Sequence, residues 1–271
     1  MHSREIVAEA LRLRSEEGLG AVRVARRLGL PVGTIRDWHA GKLPRHSRVA
    51  DPDSLGSHQE PGLERCERCG HVRHRFHSLG EPYVYLLGLY LGDGSISTHR
   101  RAVHKLRVFL DQRYPRIVDE CASAMRYLAL GNQVGRRLTI SNCWEVYSYS
   151  RSWPCVFPQH GLGMKHQRRI WLAEWQQQLA ERWPGALLRG MIQSDGCRFT
   201  NTRGKSDSWS APRYSFGNVS TDITSIFCTA CDKLGLQWTA AFPANERGAV
   251  TIYVSRMEDV ARMDRFVGPK R

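Results

Sequence analysis

One pattern occurs twice in this chain. Leu86-Leu87-Gly88-Leu89-Tyr90-Leu91-Gly92-Asp93-Gly94 aligns, glycine on glycine, with Leu188-Arg189-Gly190-Met191-Ile192-Gln193-Ser194-Asp195-Gly196. An internal repeat restricts the fold before any single element is assigned. The segments downstream of the two copies match as well. After Asp93-Gly94 the pattern predicts strands over 95–101 and 103–110, then a helix over 115–128 with Ile117, Cys121, Ala124 and Leu128 on one face. Strands over 133–140 and 144–150 come next. After Asp195-Gly196 the same reading gives strands over 198–202 and 214–219. A helix comes next over 221–234 with Ile223, Ile226, Phe227, Ala230 and Leu234 on its apolar face, then strands over 238–242 and 250–254. Both halves close on Ser-Arg, at Ser150-Arg151 and Ser255-Arg256. The order is helix, two strands, helix, two strands, helix, used twice.

The spacing inside the motif has a physical meaning. Gly88 and Gly92 are four apart, as are Gly190 and Ser194, so each helix carries a flat stripe on which two backbones can approach closely. Leu86, Leu87, Leu89 and Tyr90 then pack away from that stripe into their own half. Gly94 and Gly196 suit a left-handed stop after a helix. Asp93 and Asp195 fall on the last turn, side by side across a pseudo-twofold axis. A carboxylate at the negative end of a helix dipole is repelled, and two such ends together are worse. A sequence that builds this twice needs a compensating cation, and oxygen ligands call for a hard one, Mg²⁺.

These residues resemble the LAGLIDADG homing endonucleases in their single-chain, two-motif form, over residues 82–271. The sixth motif position departs from the family name, with Leu91 and Gln193 in place of an acid; the eighth is Asp in both copies. The resemblance implies an α+β fold, a pseudo-twofold pair of αββαββα repeats forming a β-saddle over double-stranded DNA. It implies Asp93 and Asp195 as catalytic metal ligands, with the backbone carbonyls of Gly92 and Ser194 as further donors. The metals would activate water and stabilise the departing 3′ oxygen, one Asp serving each strand. The family often has a basic residue near each metal cluster, and Lys165, Arg151 and Arg256 compete for that role. Alternate strand positions would face the duplex. The candidates are Ser95, Ser97, His99, Arg101 and Lys105 in the first half. In the second half they are Arg198, Thr200, Asn201, Arg203, Lys205 and Arg213.

The front of the chain is different. Residues 1–45 predict a small all-α domain. Ile6, Val7, Ala10, Leu11 and Leu13 have helical spacing, as do Val22, Val24, Ala25 and Leu28; Gly29-Leu30-Pro31 turns the chain, and Ile35 and Trp38 stand at i and i+3 beyond it. Helix, tight turn, helix is the helix-turn-helix order. It resembles the DNA-binding domains of resolvases and transposases, which implies that Gly33, Thr34, Arg36, Asp37 and Lys42 lie near the groove or the phosphates. Residues 46–62 are rich in Ser, Pro, Gly and Asp and read as a linker. Residues 63–80 hold Cys66-x-x-Cys69 with His71, His74 and His77. Two thiolates at that spacing suit tetrahedral zinc, with Cys66, Cys69, His71 and His74 as the first choice of ligands. The first repeat with its connector then spans 81–183 and the second 184–271. Trp171, Trp175 and Trp183 belong to the connector and read as packing residues. Cys228 and Cys231 read as core or surface positions of a helix.

Composition agrees with a polyanionic partner. Lys and Arg outnumber Asp and Glu by 40 to 26, a formal net charge of +14. Neutralised phosphates release counterions, so such a surplus favours nucleic acid. No apolar run reaches the length of a spanning helix, and the N-terminus lacks a signal-peptide core. The expected setting is cytoplasmic or nucleoid-associated and the expected state a monomer, with the eight cysteines not paired as disulfides. Two function classes fit: a site-specific endonuclease, or a DNA-binding regulator that keeps the fold without cleavage. A binder has no reason to retain a repulsive acid pair, which favours the enzyme. A role in intron splicing is a third class; the terminal residues of intein splicing blocks are absent.

Overall fold

The apolar positions of residues 4–39 close three short helices around one small core. In the computed structural model these are α1 (Arg4–Ser15), α2 (Ala21–Leu28) and α3 (Val32–His39). Val7, Ala10, Leu13, Val24, Ala25, Ile35 and Trp38 are buried together. The structure describes residues 4–40, 42, 66–70, 74–129, 132–202, 210–245, 248–268 and 270. The chain divides into two compact units, Met1–Leu63 and Glu64–Arg271. The predicted linker 46–62 lies outside the described residues, as do His71, Arg203 and Lys205.

The second unit contains the repeat. α4 (Glu81–Asp93), β1 (Gly94–Thr98), β2 (His104–Asp111), α5 (Pro115–Leu128), β3 (Val134–Leu138), β4 (Cys143–Ser150) and the single turn α6 (Trp153–Val156) form the first half. A connector helix, α7 (Glu174–Arg182), leads to the second half. There α8 (Pro184–Asp195), β5 (Gly196–Thr202), β6 (Ser210–Asn218), α9 (Thr221–Lys233), β7 (Trp238–Ala241), β8 (Val250–Val254) and α10 (Met257–Asp264) repeat the order. Each half carries a four-stranded antiparallel sheet, β1-β2-β4-β3 and β5-β6-β8-β7, with the same topology. The predicted fold class is therefore the observed one.

α4 is buried from Tyr83 through Leu91. A helix apolar on all sides belongs inside a core. One core cluster spans both halves, and Leu86, Leu87, Leu89, Leu187, Leu188 and Met191 of the helix pair sit within it. Full burial of a leucine stabilises by about 1.5–3 kcal/mol, whereas an acid at a helix C-terminus costs about 0.3–1 kcal/mol. Packing of the helix pair therefore outweighs the charge it forces together.

The glycine stripe acts as its spacing predicts. A Cβ on Gly88 would lie 2.5 Å from the Leu187 carbonyl oxygen and 2.9 Å from Gly190 Cα; one on Gly190 would lie 2.9 Å from Gly88 Cα and from Leu89 N. The two backbones touch, so no side chain fits at either position. Tyr85 on α4 donates its hydroxyl proton to Gln193 Oε1 on α8 at 2.6 Å. The residue replacing an acid at the sixth motif position thus ties the helices together.

Gly94 and Gly196 depart from the expectation. They are extended, with φ −87° and −112°, not left-handed. The motif helix runs directly into the first strand of its sheet. Glycine is required there by close approach: a Cβ on Gly94 would meet Tyr90 O at 2.8 Å, and one on Gly196 would meet Ser215 O at 2.7 Å.

The connector tryptophans separate. Trp175 stacks on Phe76, centroids 4.3 Å apart, and touches Tyr83. Trp183 packs half-buried against the core, but Trp171 is exposed, ahead of α7 rather than on it. Cys231 is buried in the α9 core and Cys228 packs against it. Among the described residues no helix is long and apolar enough to cross a membrane.

Candidate metal centre at the paired motif helices

Each motif aspartate is the last residue of its helix, Asp93 of α4 and Asp195 of α8. Because the helices touch at the glycine stripe, their C-termini end together. A Cβ on Gly92 would lie 3.1 Å from Asp195 Cγ. Asp93 keeps open solvent access, yet protein encloses it on most sides. Desolvation, followed by the negative charge of Asp195, pushes its carboxyl up to about 6; Lys165 and Lys270 act in the opposite sense. Asp195 is also raised, again by desolvation first, with the bond from Asn218 and the two lysines opposing. Asn218 Nδ2, at the end of β6, donates to Asp195 Oδ2 at 2.7 Å. A cleft of about 210 Å³ opens beside Asp93, lined by Asp111, Tyr114, Gln193, Ser194 and Lys270 among others.

Two lysines close the helix ends. Lys165 Nζ donates to the carbonyls of Tyr90 at 2.6 Å and Leu91 at 2.8 Å, and to Gly92. The last carbonyls of a helix, those of Leu91 and Gly92 among them, lack an i+4 partner within it; Tyr90 O also accepts from the N–H of Gly94. Lys270 Nζ donates to Ser194 O of α8 at 3.3 Å. Burial lowers the Lys165 ammonium to about 8 despite the neighbouring aspartates. Lys270 is lowered for the same first reason.

Of the three basic candidates from the sequence, Lys165 is the one beside the acid pair. Arg151 and Arg256 are exposed, and Arg256 Nη2 lies 3.9 Å from Glu258 Oε2. Sequence reasoning missed Lys270 and Asn218. A signal for Lys270 was present: Gly163-Met164-Lys165 and Gly268-Pro269-Lys270 are a second repeated pattern. Both glycines have positive φ, +77° and +67°. Each turns the chain back toward a helix end. The carbonyls of Gly92 and Ser194, predicted as metal donors, are the ones these lysines engage.

Strand register divides the DNA-contact candidates by face. Gly94, Ile96, Leu106, Val108 and Val146 share the core side of the first sheet. The opposite face carries Ser95 with Arg107, Ser97 with Lys105, and Tyr147 and Tyr149. Arg107 Nε donates to Ser95 Oγ at 2.9 Å. Lys105 bonds to the buried Glu145 at 2.5 Å and lies 4.3 Å from the Tyr147 ring centroid. His99 packs edge-on against Tyr149. Arg101 is not in a strand; it sits in the β1–β2 turn with φ +61°.

In the second sheet Asn201 and Arg213 share the outer face with Phe199, Ser215 and Tyr253. Arg198 and Thr200 are on the opposite side, in register with Tyr214 and Pro212. Arg198 is engaged there with Asp264, at 2.8 and 2.9 Å. The one-residue alternation that separates these faces had no anchor until the buried side was known.

In the first unit Arg36, Asp37 and Lys42 are exposed, Gly33 is exposed and Thr34 is half-exposed. Lys42 Nζ lies 3.5 Å from Asp37 Oδ1. Cys66, Cys69 and His74 of the predicted knuckle do come together, and among the described residues, which do not include His71, the fourth neighbour is Cys155.

No family model matches the chain, and no curated protein matches it. Among solved structures it is similar to I-DmoI in complex with DNA and Mn, at 14% identity and a TM-score of 0.47, covering 72% of this chain and 99% of that one. It is similar to the I-SmaMI LAGLIDADG homing endonuclease bound to cleaved DNA, at 10% identity and a TM-score of 0.46, covering 69% and 83%. It is also similar to the N-terminal LAGLIDADG domain of DUF199/WhiA, at 14% identity and a TM-score of 0.44, covering 73% and 88%. A likeness at such identity concerns the path of the backbone and not the chemistry of the site.

Proposed function

We propose that this chain is a divalent-metal-dependent, site-specific double-strand DNA endonuclease of the LAGLIDADG type, acting as a monomer on its internal pseudo-twofold axis. The observation that carries the reading is the acid pair, Asp93 and Asp195, at the abutting C-termini of α4 and α8. The donor set fits a hard cation. Two carboxylates, both raised by desolvation, meet where two helix ends present negative dipoles. Bound there, Mg²⁺ supplies a polarised water and charge stabilisation at the departing 3′ oxygen.

The chain's own groups do the rest. Asp93 and Asp195 act as ligands and hold the metal positions at the middle of the saddle. Asn218 fixes the orientation of the Asp195 carboxylate through one oxygen, leaving the other free. Lys165 and Lys270 would face the negative charge that the scissile phosphates add; Lys270, with one bond to Ser194 O, can turn an ammonium proton toward a phosphoryl oxygen, whereas Lys165 would do so by exchanging one of its three carbonyl bonds. Arg151 and Arg256 are more distant candidates on the closing Ser-Arg turns. Ser95, Ser97, Lys105, Arg107, Asn201 and Arg213 supply the groove and phosphate contacts of the outer sheet faces, with His99 and Arg101 at one end. The first unit adds a second contact through Thr34 and Arg36 of α3 and Lys42 beyond its end, in a helix-turn-helix role.

The test is incubation of the full chain with a randomised duplex library in Mg²⁺, and separately in Ca²⁺. Double-strand cuts at a shared sequence in Mg²⁺, with binding but no cutting in Ca²⁺, are the expected result. Sequence-specific binding in both, with no cutting in either, would overturn the enzyme in favour of a regulator.

A further inference from the structure

The Cys66/Cys69 knuckle does not close on itself. Cys69 Sγ lies 3.2 Å from His74 Nε2, and Cys66 Sγ lies 3.8 Å from Cys155 Sγ. The ligand atoms of Cys66, Cys69, His74 and Cys155 all lie within 4.8 Å of one another. Around tetrahedral zinc, neighbouring sulfurs stand about 3.8 Å apart and sulfur and nitrogen about 3.5 Å. Four soft donors with these separations are a zinc set rather than a Mg²⁺ or Ca²⁺ set.

The surroundings suit the same ion. Backbone N–H groups of Arg68 and Cys69 point to the Cys66 sulfur. Gly70, at φ +72°, closes the knuckle, its N–H bonding to Cys66 O at 2.7 Å. The Ser152 hydroxyl points to Cys69 Sγ at 3.9 Å. His74 stacks on Phe76, which stacks on Trp175. Hydrogen bonds to thiolate sulfur and a packed imidazole are what hold zinc ligands in place. Cys69 and Cys155 are buried, so the ion would be shielded from exchange.

We infer that Cys66, Cys69, His74 and Cys155 form a structural Cys3His zinc site that fastens the segment ahead of α4 to the α6 turn. The site is independent of the aspartate pair. Three ligands come from within nine residues of sequence; the fourth comes from the end of the first repeat, after β4. Zinc there cross-links the approach to the first motif helix with the turn that closes the same half. Binding displaces the thiol protons of the three cysteines, so affinity rises with pH.

The full chain, purified without chelator, is expected to contain one zinc per molecule. Its X-ray absorption spectrum should fit three sulfurs and one nitrogen. Cobalt substitution should give the intense visible bands of a tetrahedral, thiolate-rich site. Cys155→Ser should weaken zinc binding by at least about tenfold, while Cys143→Ser, outside the cluster, should leave it unchanged. The wild-type spectrum decides the matter even where Cys155→Ser fails to fold. A fit to two sulfurs and two nitrogens, a chain free of zinc, or a Cys66–Cys155 disulfide in the native protein would overturn the assignment. None of these results would bear on Mg²⁺-dependent cutting.

Discussion

Lys165 and Lys270 hold equivalent places in the two halves: each bonds the penultimate carbonyl of a motif helix, Lys165 at Gly92 and Lys270 at Ser194. Capping a helix C-terminus with a cation contributes about 0.3–1 kcal/mol. A role toward phosphate would show separately. Lys165→Met and Lys270→Met are each expected to slow single-turnover cleavage by about a hundredfold while changing DNA affinity little, as read by gel shift. Because burial lowers Lys165 to about 8, wild-type cleavage should decline as pH rises past that value. Lys165→Arg should move that alkaline limb upward, since guanidinium stays charged.

Asp93→Asn and Asp195→Asn should each abolish cleavage and spare binding. Each also removes one partner of a repulsive pair. In chelator, both variants are therefore expected to melt at a higher temperature than wild type, measured by circular dichroism. Full cutting by either variant would refute the site assignment.

The acid pair also links stability to pH. Asp93 is raised to about 6, above its unfolded value. The folded state thus holds its proton more tightly, so this contribution is fully present at low pH and is lost as pH rises through about 6. Metal-free protein should therefore lose stability over that window. Mg²⁺ should restore it above pH 6, by on the order of 5 °C at saturating concentration, and have little effect near pH 4. A Mg²⁺ effect independent of pH would argue against ligation by these carboxylates.

Gly88→Ala and Gly190→Ala place a methyl group against the backbone of the partner helix. Overpacking of this kind costs about 1–3 kcal/mol or more. Urea denaturation should show a lower midpoint for both. Gly33→Ala, at a site with open space around it, should not.

Much of this site was legible because the decisive residues are repeated and local. The glycine stripe and the terminal Asp lie within about one and a half helical turns of each other, so helix period alone places them. Asn218 and Cys155 were not legible. Each reaches its partner through strand pairing or a turn far along the chain, and neither sits in a pattern that names its role. Lys270 lies between: its Gly-x-Lys context is repeated, but only the fold shows that both copies return to a helix end. The outer face of the second sheet was not legible for a different reason. Arg198 and Asn201 differ by an odd number of positions, and only the buried face of β6 tells which of them points away from the core.

Asp195 is held by Asn218, whereas Asp93 stands beside the open cleft. A carboxylate already oriented reaches its working geometry sooner than one that must be drawn into place. The two strands of a target would then not be severed at the same pace. A nicked duplex should build up early in the reaction, always broken on the same strand, before linear product appears.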